Sequence, residues 1–203
     1  MDEKARKYVD LFRAVKIASA ATVDGGGHPQ SRIINVMLAG DDGMVIVTSR
    51  GKPFWKQLTG TGEVALSAMC PDCQSLKFLG RVEVLDKSWV DRVFEANPGM
   101  NEVYPGESRY ALDAFRIYAG HGEWFDLLHY PIRRETFAYG GDEEERNGFA
   151  ITSACTGCGA CAEACPQKCI FPGAPYAIAW ENCLQCGLCA ETCPVGAVAR
   201  LRD

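Results

Sequence analysis

Cys155-Thr-Gly-Cys-Gly-Ala-Cys-Ala-Glu-Ala-Cys-Pro166 and Cys183-Leu-Gln-Cys-Gly-Leu-Cys-Ala-Glu-Thr-Cys-Pro194 are two copies of one pattern. They agree at eight of twelve positions and begin 28 residues apart. In each copy three cysteines recur at every third position, and a fourth follows four residues later and precedes proline. The chain has eleven cysteines, and nine of them lie between Cys155 and Cys193. A secreted disulfide scaffold would show such a density. The N-terminus, however, is charged (Met1-Asp-Glu-Lys-Ala-Arg-Lys7), leads into an amphipathic stretch and lacks the apolar core of a secretory signal. The expected location is therefore cytoplasmic, where thiols stay reduced and clustered cysteines more often hold metal.

The chemistry of a cubane iron–sulfur cluster explains the pattern. Each of four irons needs one thiolate, and three cysteines at intervals of three let one tight loop wrap a face of the cube. The spacers Gly157, Gly159, Ala160 and Gly187 are small, which lets backbone N–H groups approach the sulfurs. The fourth cysteine lies too far along the chain to close the same cube comfortably, and in this motif it ligates the other cluster. One cluster is thus expected on Cys155, Cys158, Cys161 and Cys193, and the other on Cys183, Cys186, Cys189 and Cys165. Two zinc knuckles are the simpler structural alternative. Zinc would take two C-x2-C pairs, and neither the third cysteine nor the Cys-Pro ending fits that. From about Phe149 to Leu201 the chain resembles the two-cluster bacterial ferredoxins. Cys169 is surplus to the motif and reads as a buried bystander thiol.

Ahead of the repeat, Gly140-Gly-Asp-Glu-Glu-Glu-Arg-Asn-Gly148 has glycine and charge but no apolar residue, so it reads as a linker. The expected organisation is a globular domain at 1–139, a linker at 140–148 and a ferredoxin domain at 149–203. The 203 residues, 47% of them hydrophobic, suffice for a core in the first domain. A formal charge of −5 gives no reason to expect nucleic acid or an anionic membrane as partner. No apolar run approaches the ~20 residues of a spanning helix.

Within 1–139, Tyr8, Leu11, Phe12 and Val15 share one face of a helix. Strands are expected at 17–23, 31–38, 44–48, 63–69, 76–85, 115–128 and 133–139. The turn Asp41-Asp-Gly43 should make a hairpin of the second and third. Lys52 to Leu58 reads as a helix with Pro53 in its first turn, and a second helix should run from a Ser88 cap to Ala96, stopped by Asn97-Pro-Gly99. Antiparallel strands with short turns and a few helices suggest a barrel or sandwich with helical additions.

Three segments of this domain carry candidate chemistry: Arg32-Ile-Ile-Asn-Val-Met37, Val47-Thr-Ser-Arg-Gly-Lys-Pro-Phe-Trp-Lys-Gln-Leu58 and Cys73-Gln-Ser-Leu-Lys-Phe-Leu-Gly-Arg-Val-Glu83. Hydroxyls, cations and a helix start together after a strand suit a phosphate, although alone such a run is more often a solvated turn. In their order the segments resemble the pyridoxamine 5′-phosphate oxidase-like family over roughly residues 10 to 130. The resemblance implies a mainly β fold with helices, the FMN-binding split β-barrel, beside the small α+β ferredoxin-type domain. It implies FMN as cofactor, with Arg32, Thr48, Ser49 and Lys52 at the phosphate and Asn35, Gln74 and Trp124 towards the ring. It also implies a homodimer. Related split barrels bind haem, deazaflavin F420 or nothing. Trp124 has a core position as its plainer reading. Cys70-Pro-Asp-Cys73 reads as a strand end with two incidental thiols, and His28, His121 and His129 as surface or structural residues.

Together these readings point to an oxidoreductase that passes electrons between FMN and two 4Fe–4S clusters, with a redox protein or a small-molecule donor or acceptor as partner. No acid–base pair declares itself, and no catalytic residue is assigned. The rival is a carrier or docking module whose barrel serves dimerisation or holds another cofactor.

Overall fold

In a computed structural model, residues 1–201 are described; the last two residues of the expected 149–203 domain lie outside them. The chain forms two compact units. The first comprises Met1–Cys70, Ser75–Glu123 and Phe137–Glu144, and the second Pro71–Gln74, Trp124–Thr136 and the chain from Glu145 on.

The first unit begins with α1 (Glu3–Val15), whose N-terminus is capped by the Asp2 carboxylate accepting from the Ala5 N–H at 2.7 Å. Ala5, Tyr8, Val9 and Phe12 form its buried face. The stripe is thus shifted towards the N-terminus from the expected one, and Leu11 and Val15 are only partly covered. There follow β1 (Ile17–Val23), β2 (Pro29–Asn35), β3 (Leu38–Gly40), β4 (Gly43–Ser49), α2 (Pro53–Thr61), β5 (Glu63–Met69) and β6 (Gln74–Val84). Next come α3 (Ser88–Ala96), α4 (Met100–Val103), β7 (Leu112–Asp126) and β8 (Arg133–Tyr139), of which the end of β7 from Trp124 and the start of β8 to Thr136 belong to the second unit. The strands make one curled sheet in the order β2-β1-β5-β6-β7-β4-β3, with β8 paired to β7. Inside it, Phe78 stacks on Phe137 at 5.7 Å and on Tyr139 at 5.1 Å, and Tyr8 of α1 stacks on Phe137 at 4.7 Å.

The expected 31–38 strand is broken. β2 pairs with β1, and only the short β3 forms the hairpin with β4. Val36 and Met37 are both buried, so strand alternation fails there. Their N–H groups bond to the carbonyls of Lys16 and Val45, both at 2.8 Å, which turns the chain from one neighbour to the other. The α3 cap also differs from expectation: Ser88 is the first helical residue, and the Asp86 carboxylate accepts from its N–H at 2.9 Å. β7 ends at Asp126 because that carboxylate accepts the Leu128 N–H at 2.9 Å.

In the second unit the repeat is structural. Residues 142–147 form no regular element. Then come β9 (Phe149–Ile151), α5 (Ala160–Ala164), β10 (Ile170–Phe171), β11 (Ala177–Ile178), α6 (Leu188–Thr192) and β12 (Val198–Arg200). α5 and α6 occupy equivalent positions, each entered through a glycine at positive φ, Gly159 at 79° and Gly187 at 85°. The first strand of one copy pairs with the last of the other, β9 with β12 and β11 with β10. The two copies are therefore interlocked by their backbone as well as by their cysteines.

Candidate functional site

Two small cavities lie in the second unit. Cys155, Cys158, Cys161 and Cys193 line one of them. Cys165, Cys183, Cys186 and Cys189 line the other. Each cavity thus takes three cysteines from one copy and the fourth from the other. Among the described residues, no three His, Cys, Asp or Glu side chains converge as ligands of a single ion; the thiols stand around the cavity walls instead, as the corners of a cube require.

Backbone amides point at the sulfurs. Gly157 N–H donates to Cys155 Sγ at 3.4 Å, Gln185 N–H to Cys183 Sγ at 3.3 Å and Ala197 N–H to Cys193 Sγ at 3.2 Å. Gly157 and Gln185 are repeat equivalents and both have positive φ, 75° and 58°. Gln185 is held in this conformation while its amide side chain donates to the Asn147 carbonyl at 2.9 Å. The amides of Val195 and Ala197 lower the Cys193 thiol. Burial raises Cys189 to about 11. Cys183 is lowered to about 6, first by a hydrogen bond from Cys169, then by the Gln185 amide and the charge of Arg134, which together outweigh burial. Thiolate is the form that ligates metal, so these donors favour the ligating state.

Cys169 lies on the wall of the second cavity, buried, with its Sγ 3.6 Å from that of Cys165. It is the repeat equivalent of Ala197. Sequence gave it no place in the site, yet alignment of the two copies puts it four residues beyond the fourth cysteine. Sequence reading also missed Arg134 of β8. Its Nη2 donates to the Cys183 carbonyl at 3.2 Å, a long-range contact that leaves no local signal.

In the first unit, Arg32 points from β2 into a polar nest. Its guanidinium donates to Thr22 Oγ1 at 2.6 Å, to Gln57 Oε1 at 2.8 Å and to the Ala20 carbonyl at 3.2 Å, and lies 4.4 Å from the centroid of the Phe54 ring. Phe54 belongs to the first turn of α2, whose N-cap is Lys52. That turn has proline at its start, no acidic residue and no side-chain cap; the Trp55 N–H donates to the Lys52 carbonyl at 3.1 Å, which leaves the Phe54 N–H to face an acceptor. Ser49 Oγ is 3.2 Å from the Tyr104 hydroxyl, Thr48 is buried, and Lys52 is exposed. Arg50 is bound to Asp113 at 3.1 Å, beside Lys87 and Trp55 on the same carboxylate. A guanidinium, a lysine and an uncapped helix start are a donor set that suits a phosphate monoester. Asn35 is three residues from Arg32 on the strand and so on the opposite face; it lines a cleft with Arg13, Lys16 and Asn97.

Gln74 and Trp124 fall in the second unit and are joined there: Trp124 Nε1 donates to Gln74 Oε1 at 3.3 Å. The Gln74 amide donates to the buried Asp126 at 3.2 Å, and His129 Nδ1 lies 2.9 Å from the same carboxylate oxygen. Burial raises the Asp126 carboxyl, but the Leu128 amide, His129 and Gln74 hold it below the usual range. His28 and His121 approach Asp24 and Asp142, at 3.4 and 3.9 Å. Cys70 is buried and Cys73 exposed.

Comparison with known proteins agrees with this geometry. Residues 154–197 match the 4Fe-4S dicluster domain, so the second unit carries an iron–sulfur-binding domain of the ferredoxin type. No curated protein matches the chain. Among solved structures, a NimC/NimA family protein from Clostridium acetobutylicum superposes with a TM-score of 0.57 at 19% identity, covering 68% of this chain and 94% of that one. A protein of the same organism related to general stress protein 26, of the pyridoxinephosphate oxidase family, gives 0.53 at 19% identity over 68% and 96%. A haem-binding protein from Mycobacterium smegmatis gives 0.53 at 11% identity over 68% and 59%. The N-terminal part therefore has the split-barrel fold of the pyridoxamine phosphate oxidase-like proteins. Among the described residues, no helix is long and apolar enough to cross a membrane.

Proposed function

We propose that the protein is an oxidoreductase that carries electrons between FMN in the barrel and two 4Fe–4S clusters in the repeat unit. The observation that carries this reading is the division of eight cysteines into two cavities of four, on a chain whose other unit is a split barrel with a phosphate-type donor set. FMN supplies chemistry in which electrons enter as a pair and leave singly, whereas each cluster takes one. The residues of the chain do the rest. Arg32, Lys52 and the start of α2 anchor the phosphate, with Thr48 and Ser49 beside them. The cysteines of the cavity walls hold the clusters. The partner is a redox protein or a small-molecule donor or acceptor.

A homodimer is part of the proposal. Ile33, Met69 and Leu79 stand on one face of the β2-β1-β5-β6 sheet, 70%, 68% and 46% exposed, among small residues of β1 and β5. A sheet face that exposes these apolar side chains suits a second copy of the same surface.

One observation favours a second reading, in which the barrel is a docking platform without FMN: the guanidinium of Arg32 is already engaged by Thr22, Ala20 and Gln57. Flavin analysis of anaerobically reconstituted protein decides between the two. The first reading expects bound FMN that is lost when Arg32 and Lys52 are replaced by alanine. Unchanged cofactor content in that variant supports the second.

A further inference from the structure

Arg134 is the one buried cation among the described residues, 6% exposed. It comes from β8, outside the cysteine repeat, and bonds to the backbone of Cys183, a lining residue of the second cavity. Its Nη2 donates to the backbone carbonyl of Cys183, and its guanidinium lies 4.4 Å from the Phe125 ring centroid and 5.6 Å from that of Trp180. Aromatic faces thus stand where water would otherwise screen the charge, and the interaction of a desolvated cation with its surroundings is several-fold stronger than that of an exposed one. No buried cation accompanies Cys155, Cys158, Cys161 or Cys193 among the described residues. The Gly157–Cys155 and Gln185–Cys183 N–H···S contacts are equivalent in the two copies, whereas the Ala197 N–H on Cys193 and the Cys169 thiol beside Cys165 distinguish them; Arg134 adds to these a buried full charge at one copy.

We propose that Arg134 sets the two clusters at different potentials, making the one held by Cys165, Cys183, Cys186 and Cys189 the resting place of the electron. Reduction adds one negative charge to a cluster. A fixed positive charge beside Cys183 stabilises that added charge, so the reduced form of this cluster is favoured over that of the other. Arg134 is a positioning residue in this scheme: it touches the ligand's backbone, not the cluster, and acts through its field. An electron arriving at either cluster settles in the second cavity, and a partner that docks near that cavity takes it up. The proposal rests on the two-cluster reading given above.

The test is potentiometric titration, followed by electron paramagnetic resonance, of the full chain reconstituted anaerobically. Iron and sulfide analysis comes first: protein with a single cluster overturns the two-cluster reading, and this proposal with it. With two clusters present, Arg134→Met and Arg134→Gln are each expected to make reduction of one cluster at least tenfold less favourable, a fall of about 59 mV or more for one electron, while the other potential stays in place. Glutamine keeps a donor for the Cys183 carbonyl and guards against a variant that fails to fold. Arg134→Lys, which keeps the charge, should restore most of the potential. Arg146→Met removes an exposed cation 5.4 Å from the same Trp180 ring and should change neither potential. The same fall is expected in a Cys193→Ala background, where only the second cavity keeps four thiols. Equal movement of both potentials, an Arg134→Lys shift as large as that of Arg134→Met, or no movement at all would overturn the assignment.

Discussion

Cys165 lines the cavity of the opposite repeat, while Cys161, only four residues earlier, lines the cavity of its own. Cys161 is the second residue of α5 and Cys165 is its C-cap, so the two ends of one short helix send their cysteines to different cavities. Cys193 makes the reciprocal crossing after α6. The unit therefore cannot form one site without placing a residue in the other, and its folding is expected to couple to metal binding.

Cysteine replacement tests this coupling. Cys193→Ala should lose the cluster of the first cavity and about half of the iron, and Cys165→Ala the cluster of the second. Iron and sulfide analysis with electron paramagnetic resonance reads the outcome. Retention of both clusters in either variant would contradict the crossed ligand sets.

Cys169 gives the opposite expectation. Its repeat equivalent is Ala197, so the backbone at this position accepts alanine without strain. Cys169→Ala should keep full iron content and lose only a small buried thiol. Thermal unfolding should shift by about 1 kcal/mol or less. Loss of a cluster would make Cys169 a ligand.

The phosphate-type donor set makes a graded prediction. Each charge-assisted hydrogen bond to a phosphate is worth about 1.5–3 kcal/mol. Arg32→Ala and Lys52→Ala should each weaken FMN binding about tenfold to a hundredfold, read by flavin fluorescence during titration of the apoprotein. Asn35→Ala, on the other face of β2, should weaken it far less.

Gly43 tests the barrel itself. It closes the β3–β4 hairpin at φ 109°, and a Cβ there would stand 2.1 Å from the Ile117 carbonyl oxygen of β7. Gly43→Ala should destabilise the protein by about 1–3 kcal/mol or more through backbone strain, seen as a lower melting temperature with cluster content unchanged.

The Tyr139 hydroxyl donates to the Ile117 carbonyl at 2.9 Å, and burial raises its ionisation far above the ordinary tyrosine value of about 10. The folded state keeps this proton where the unfolded state releases it. The contribution is therefore whole below pH 10 and declines as pH rises above it. Tyr139→Phe should be less stable near pH 8, and its melting temperature should fall less steeply than that of the parent protein between pH 10 and pH 12.

What was legible in the sequence was local. The cysteine spacing is a short-range instruction, and a second copy confirmed it. β1, β5, β8 and α3 were readable because apolar alternation or a 3.6-residue stripe ran between clear turn residues. The reading failed where two buried residues in a row, Val36 and Met37, turned the chain between partners inside an apolar run, since periodicity cannot show a change of neighbour. It also failed where a partner is distant in sequence. Thr22 and Gln57 meet at Arg32 from a strand and a helix, Asp126 gathers Gln74 and His129, and Arg134 reaches Cys183 from β8. Tertiary structure alone assembles these contacts, and they orient the candidate residues that sequence had named singly.

The most direct measurement is an anaerobic reductive titration of reconstituted protein, with iron, sulfide and flavin determined on the same sample and the flavin and cluster absorbances followed together. The account predicts FMN and two clusters per chain, with electrons supplied at the flavin appearing on the clusters. Protein that holds no flavin, and whose clusters stay oxidised when reduced FMN is added, would contradict it.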